Sequence, residues 1–149
     1  MNIILDKHIK TIMTSNLMTV GPEVIMTEIS EIFNSYSFHH IPVVDKDDKP
    51  IGIISQNDFH RLQHHFTQLG LEEAEDQNRK FFASLLARDI MITNLICLNT
   101  EDLISDAVDI FLQNKVHSIL ICHEEKCVGI VTPYDILKSL VEPALMSKQ

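Results

Sequence analysis

The chain has 149 residues, 45% of them apolar and 22% charged, with a formal net charge of −9. That length and composition suit a globular protein that buries its own core without covalent staples. The acidity excludes a nucleic-acid backbone as partner, which needs clustered cations, and no apolar run approaches the roughly 20 residues of a membrane span.

The first stretch, MNIILDKHIK, holds only Ile3, Ile4 and Leu5 in succession, too little for a signal-peptide core. Three cysteines, Cys97, Cys122 and Cys127, are an odd number at irregular spacing. They read as reduced thiols and, with the absence of targeting signals, as a cytoplasmic protein.

In chain order, a turn over 8–13 leads into a short extended piece, Leu17–Val20. Ile25, Ile29, Ile32, Phe33 and Tyr36 then recur at helical spacing. Two short, continuous apolar runs follow, IPVV at 41–44 and IGII at 51–54, which read as buried strands of a hairpin. A helix starts at Ser55. The segment 64–87 is broken by Gly70 and carries an acidic run, Glu72, Glu73, Glu75 and Asp76, as on a solvated first helical turn. Phe81, Phe82, Leu85 and Leu86 give it an apolar side for the core or a partner subunit.

The series then begins again. A turn at 86–91, an extended piece Leu95–Leu98 and a helix with Leu103, Ala107, Ile110, Phe111 and Asn114 on one face precede SILIC (118–122), VGIV (128–131) and a helix from Thr132. Sliding the chain by 78 residues lays Ile12-Met13 on Ile90-Met91, Asn16-Leu17 on Asn94-Leu95, Glu23 on Glu101, Ile32-Phe33 on Ile110-Phe111 and His39 on His117. One residue lost in the hairpin turn then lays Gly52-Ile53 on Gly129-Ile130. The chain is a duplicated β-α-β-β-α unit.

Both units end with the same corner: GIISQND at 52–58 and GIVTPYD at 129–135. Ser55-x-x-Asp58 and Thr132-x-x-Asp135 are capping boxes, with Pro133 suited to the first helical position. A hydroxyl there accepts a hydrogen bond from a first-turn N–H. The same corner suits a nucleoside phosphate. The helix N-terminus favours an anion, glycine on the strand permits close approach, and an aspartate accepts from a ribose diol. His39 and His40, just before a strand, are candidate phosphate contacts, though adjacent strand residues face opposite ways.

The duplicated unit, HHIPVVD and HSILICH entering the hairpins, and the paired corners GIISQND and GIVTPYD together resemble a tandem pair of CBS domains, regulatory modules named after cystathionine β-synthase. The resemblance spans about residues 8–140, with a first repeat at 8–68, a helical linker at 69–86 and a second repeat at 87–142. It implies an α/β (α+β) module of two repeats packed sheet to sheet about a pseudo-twofold axis. It implies no enzyme activity and no obligatory cofactor, and a regulatory adenosine nucleotide, AMP foremost, in two composite clefts. Carried over by position, one cleft joins Thr132 and Asp135 to Thr14, Asn16, Met18, Phe38, His39 and His40; the other joins Ser55 and Asp58 to Thr93, Asn94, Ile96, His117 and Ser118. In the first, Met18 and Phe38 flank the adenine. Thr14 becomes apolar Ile92 in the second repeat, so the first cleft should bind more tightly. If charged His40 holds the phosphate, affinity falls between about pH 6 and 8. The resemblance also implies a homodimer, with Phe59, Leu62, Phe66, Leu137 and Leu140 as candidate contacts, and a separate effector protein to receive the signal.

Two other readings compete. A plain interaction module with degenerate clefts would share the fold and bind no nucleotide. His60 and His64, four apart on a helix, or Cys122 and Cys127 around His123, suggest a metal site, but no third ligand is fixed and no HExxH or CxxC pattern occurs, so no metal is assigned.

Overall fold

The structure is a computed structural model that describes residues 4–67 and 72–146. Gly70 and the side chains of Phe66, Glu72, Glu73 and Glu75 lie outside the described residues. The chain divides into two compact units: Met18–Asn94, and Met1–Leu17 together with Leu95–Gln149.

In the unit Met18–Asn94, helix α1 (Met26–Ser35) buries Met26, Ile29 and Phe33, the face set by the helical spacing of apolar residues. Ile25, expected on that face, stands at the N-cap and is exposed, and Tyr36 is the exposed C-cap. Strands β1 (His40–Val44) and β2 (Pro50–Ser55) pair antiparallel, His40 opposite Ser55. Their turn is shaped by the Asp45 carboxylate, which accepts from the Asp47 and Lys49 amides at 2.8 and 3.0 Å. Asp48 takes the positive φ that the turn requires. Helices α2 (Gln56–Thr67), α3 (Glu72–Ser84) and the single turn α4 (Ala87–Ile90) complete the unit. Within 64–87 the described residues are helical over 64–67 and 72–84, and Phe82 and Leu85 pack against the core. The core includes Ile29, Phe33, Ile41, Val43, Ile54 and Phe59. Phe59 packs its ring on Phe33 and Phe82 at 5.4 and 5.7 Å. It is 1% exposed, so it is a core residue and not the candidate dimer contact.

The other unit repeats the plan. Strand β3 (Cys97–Asn99) runs parallel to β4 (Ile119–His123), which pairs antiparallel with β5 (Lys126–Val131). Helix α5 (Ile104–Leu112) and helix α6 (Pro133–Met146) cover a core of Ile9, Ile104, Ala107, Ile119, Ile121, Val131 and Ile136. A one-turn 3-10 helix at Ile9–Thr11 precedes them. Asn114, expected on the α5 face, falls past the helix end at positive φ.

Each repeat lends its opening segment to the other repeat's unit. The Ile9 and Ile104 amides donate to Asp102 and Lys7 carbonyls at 2.7 and 2.9 Å. At the equivalent positions, 78 residues along, Ala87 donates to Val24 at 2.8 Å and Met26 to Leu85 at 3.2 Å. Each sheet gains an edge the same way: Thr14 pairs with Ile130 and Ile92 with Ile53, each through two backbone hydrogen bonds of 2.9–3.0 Å. The expected extended piece Leu17–Val20 is reduced to one parallel bridge, Val20 to Val43.

Candidate functional site: two strand-to-helix corners

In the second-repeat corner, β5 ends at Val131 and α6 begins at Pro133. Proline needs no amide partner at this first helical position. Thr132 caps the helix, but not as the sequence suggests. Its hydroxyl donates to the Asp135 carboxylate at 2.9 Å, and its backbone N–H donates to the same Oδ2 at 2.8 Å. Asp135 is half-buried. Two donors on one oxygen fix the direction of the carboxylate. The other oxygen, Oδ1, accepts nothing among the described residues. Thr14 runs alongside, held by its two bonds to Ile130, and is exposed, as is Asn16.

The first-repeat corner is capped the other way round. The Ser55 hydroxyl accepts from the Asp58 amide at 3.1 Å. The Asp58 carboxylate is exposed and lies 3.6 Å from the Arg61 guanidinium one turn on. His40 stands opposite Ser55 on β1, and His39 shares a 3.0 Å hydrogen bond with the Gln56 side chain while its carbonyl accepts from the Gln56 amide at 2.8 Å. Both histidines are therefore gathered at the start of α2. Phe38 is half-buried and stacks on Tyr36 at 5.5 Å. Met18 is half-buried too.

Ile92 takes the place that Thr14 holds in the other corner, and Thr93 and Asn94 follow it, exposed. Ile96 turns into the core of its unit and its carbonyl accepts from Leu120 at 3.1 Å. His117 is exposed and Ser118 half-buried, both just ahead of β4. An open depression of about 590 Å³ is lined by Asp58, Arg61, Leu62, His65, Asp89, Ile90 and Ile92. Arg61 and His65 were not site candidates. Their spacing from Asp58, one and two helical turns, is the signal that places all three along one side of α2.

The corner glycines serve neighbouring side chains. A Cβ on Gly129 would lie 2.5 Å from the Met13 sulfur. One on Gly52 would overlap Met91. Close approach is what glycine permits, but the approaching group in each unit is a methionine from the lent segment.

The CBS domain model matches residues 9–65 and again 87–142. This chain belongs to the CBS-domain family. As a CBS pair it is 26% identical, over 133 residues, to an inosine-5'-monophosphate dehydrogenase of Methanocaldococcus jannaschii. The match covers 89% of the chain and only 23% of the dehydrogenase. The CBS domain of a CBS domain-containing membrane protein from Sphaerobacter thermophilus shares the fold with TM-score 0.76 at 22% identity, covering 91% of this chain and 89% of that one. CBSX2, solved in complex with AMP, matches with TM-score 0.73 at 18% identity over 93% and 98% of the two chains. The CBS pair of protein MJ0100, solved with 5'-methylthioadenosine and S-adenosyl-L-methionine, gives 0.71 at 20% over 92% and 98%. No helix among the described residues is long and apolar enough to cross a membrane, and no group of three or more His, Cys, Asp or Glu among them is arranged to hold a metal.

Proposed function

We propose that this CBS pair is a regulatory module that binds an adenosine compound at its strand-to-helix corners and acts through a partner protein. The Asp135 carboxylate carries the reading. It is half-buried, held by two donors on Oδ2, and keeps Oδ1 for an outside donor. A preoriented, charged acceptor suits the two hydroxyls of a ribose, since charge-assisted hydrogen bonds are the stronger kind. Thr132 bonds it directly, and Thr14, paired with Ile130, and Asn16 are exposed polar groups of the same unit. The AMP of CBSX2 and the adenosine ligands of MJ0100 support the ligand class.

The second corner offers Asp58 to a diol, with Arg61 along α2 as the cation that a phosphate needs and the His65 imidazole one turn beyond it. Thr93 and Asn94 adjoin it. Asp58 is exposed and shared with Arg61, so its hold on a diol is weaker than that of Asp135. Phe38 and Met18 remain candidates for flanking an adenine, His39, His40, His117 and Ser118 for its phosphate or ribose, and Ile96 for its apolar surround. AMP is the first choice of ligand, and the homodimer and effector are part of the same proposal.

Calorimetry or thermal shift with adenosine, AMP, ADP, ATP and S-adenosylmethionine tests it, because a ligand of the folded state raises apparent stability. Asp135→Ala should remove most of the shift and Asp58→Ala less. No shift with any of the five would leave a plain interaction module. The exposed apolar row on α6, Tyr134, Leu137, Leu140 and Val141, favours that as the second reading.

A further inference from the structure

The β4–β5 hairpin carries two of the chain's three thiols, Cys122 and Cys127. Its turn is Glu124-Glu125, and both residues take the positive φ of a tight two-residue hairpin turn. His123 and Lys126 flank the turn in register, and Cys122 and Cys127 are the next pair. The register shifts only beyond them, between Ile121 and Cys122, so the turn sets this pairing. The Cys122 carbonyl accepts from the Thr100 amide at 3.2 Å, on the β3 side of the sheet. Its backbone groups therefore point away from β5, which makes Cys122 and Cys127 a non-hydrogen-bonded pair. Such pairs stand only about 4.5 Å apart at Cα, with their side chains closest. A disulfide spans roughly 4.4–6.8 Å at Cα, so this pair is within reach. Cys97, the third thiol, is in register with Leu120 and is only a diagonal neighbour of Cys122.

We propose that Cys122 and Cys127 are a dithiol–disulfide switch, closed across the hairpin by exchange with a small-molecule disulfide of the glutathione type. The Cys127 thiol loses its proton, and its sulfur attacks one sulfur of oxidised glutathione. That S–S bond breaks, a mixed disulfide forms on Cys127, and one glutathione leaves with the proton. The Cys122 sulfur, shedding its own proton, then attacks the Cys127 sulfur. The mixed bond breaks, the cross-strand bond forms, and the second glutathione leaves with the second proton. Two electrons pass from the protein thiols to glutathione.

Exposure orders the steps. Cys127 is half-buried and Cys122 buried, so the outside disulfide meets Cys127. Burial pushes Cys122 up to about 12 and Cys127 up to about 11, so the resting pair near neutral pH is the dithiol. Proximity then drives closure, since a thiol held one strand spacing away acts at high effective concentration. Closure also removes the hydrogen that Cys127 donates to the Gly129 carbonyl at 3.9 Å. Gly129 lies on β5, the strand that ends at the Thr132 corner, so the redox state reaches the corner's own strand. The inference does not depend on the adenosine reading.

Trypsin cuts after Arg88, Lys115, Lys126 and Lys138, so each thiol falls on its own peptide. The full chain, reduced and then incubated natively with oxidised glutathione, is analysed intact and as non-reduced peptides. The expected result is a chain lighter by two hydrogens, a Cys122–Cys127 link, and full reversal by dithiothreitol. Cys97→Ser should leave the link. Cys122→Ser should halt the reaction at a glutathione adduct on Cys127. The proposal is overturned by a link through Cys97, by two chains joined together, by a glutathione adduct that persists on the parent chain, or by no change in mass.

Discussion

Replacing the two corner glycines by alanine should separate two sites that look identical in sequence. Neither glycine has a positive φ, so alanine stiffens the unfolded chain and stabilises by about 0.4–1 kcal/mol where it fits. It fits one corner better. At Gly129 the new methyl would meet the Met13 sulfur at 2.5 Å but its Cγ and Cβ at 3.0 and 3.3 Å. The sulfur is the far end of a flexible side chain and can swing aside. At Gly52 the methyl would meet Met91 Cγ and Cβ at 2.6 and 2.8 Å, with the sulfur closer still. A Cβ cannot move without its backbone, and Met91 is anchored by its amide, which donates to the Ala87 carbonyl at 2.9 Å. Overpacking of this kind costs about 1–3 kcal/mol. After the backbone gain, Gly52→Ala should lose about 1–2 kcal/mol, roughly 3–6 °C in a chain this long, and Gly129→Ala should stay within about 0.5 kcal/mol of the parent. Urea denaturation without ligand measures both. Met91→Ala removes the two nearest atoms, so it should shrink the Gly52→Ala penalty, a coupling that a double-mutant cycle reads directly. Equal losses at the two glycines, or the reverse order, would refute the reasoning.

Other outcomes follow from single contacts. Phe59→Ala empties a fully buried ring position and should cost about 3–5 kcal/mol in denaturant midpoints, whereas Leu137→Ala, on an exposed face, should cost less than about 0.5 kcal/mol in the monomer. Asp135→Ala removes the α6 cap along with the proposed ribose contact, so about 1 kcal/mol of stability should go even without ligand; a stable variant that no longer binds would locate its role in the ligand alone. Thiol titration makes the alkaline limit testable. Folding raises Cys122 from 9.0 to about 12 and Cys127 from 9.0 to about 11. The contribution of both is therefore complete below pH 9 and lost as pH rises toward 11–12, because the unfolded chain releases those protons first. Cys122→Ala should flatten that fall in unfolding curves taken across the same range.

The duplication, the hairpins and the corner helices were legible because each rests on local pattern. IPVV and SILIC are short buried runs, and Ile29 and Phe33 fall at helical spacing. The lending of opening segments was not legible. Ile9 to Asp102 and Ala87 to Val24 are backbone bonds, and a backbone amide carries no side-chain pattern to announce its partner. The same exchange explains why Met13 and Met91 cover the corner glycines, where the sequence suggested room for a ligand. Capping also diverged beneath a common motif. Thr132 donates to Asp135 while Ser55 accepts from the Asp58 amide, because a hydroxyl is both donor and acceptor and its surroundings decide. Arg61 has no motif of its own in the sequence; it becomes a neighbour of the corner only because α2 sets it one turn beyond Asp58.

The lent segments also set a timetable for synthesis. Met18–Asn94 is a contiguous stretch, so its unit has every residue it needs as soon as Asn94 clears the ribosome. The other unit draws on both ends of the chain. Ile9 and Thr14 emerge first, yet their backbone partners at Asp102 and Ile130 come more than 90 residues later. Residues 9–14 are thus among the last to find their places, and a nascent chain halted at Asn94 would hold one finished unit and a preceding apolar segment still waiting for its strand.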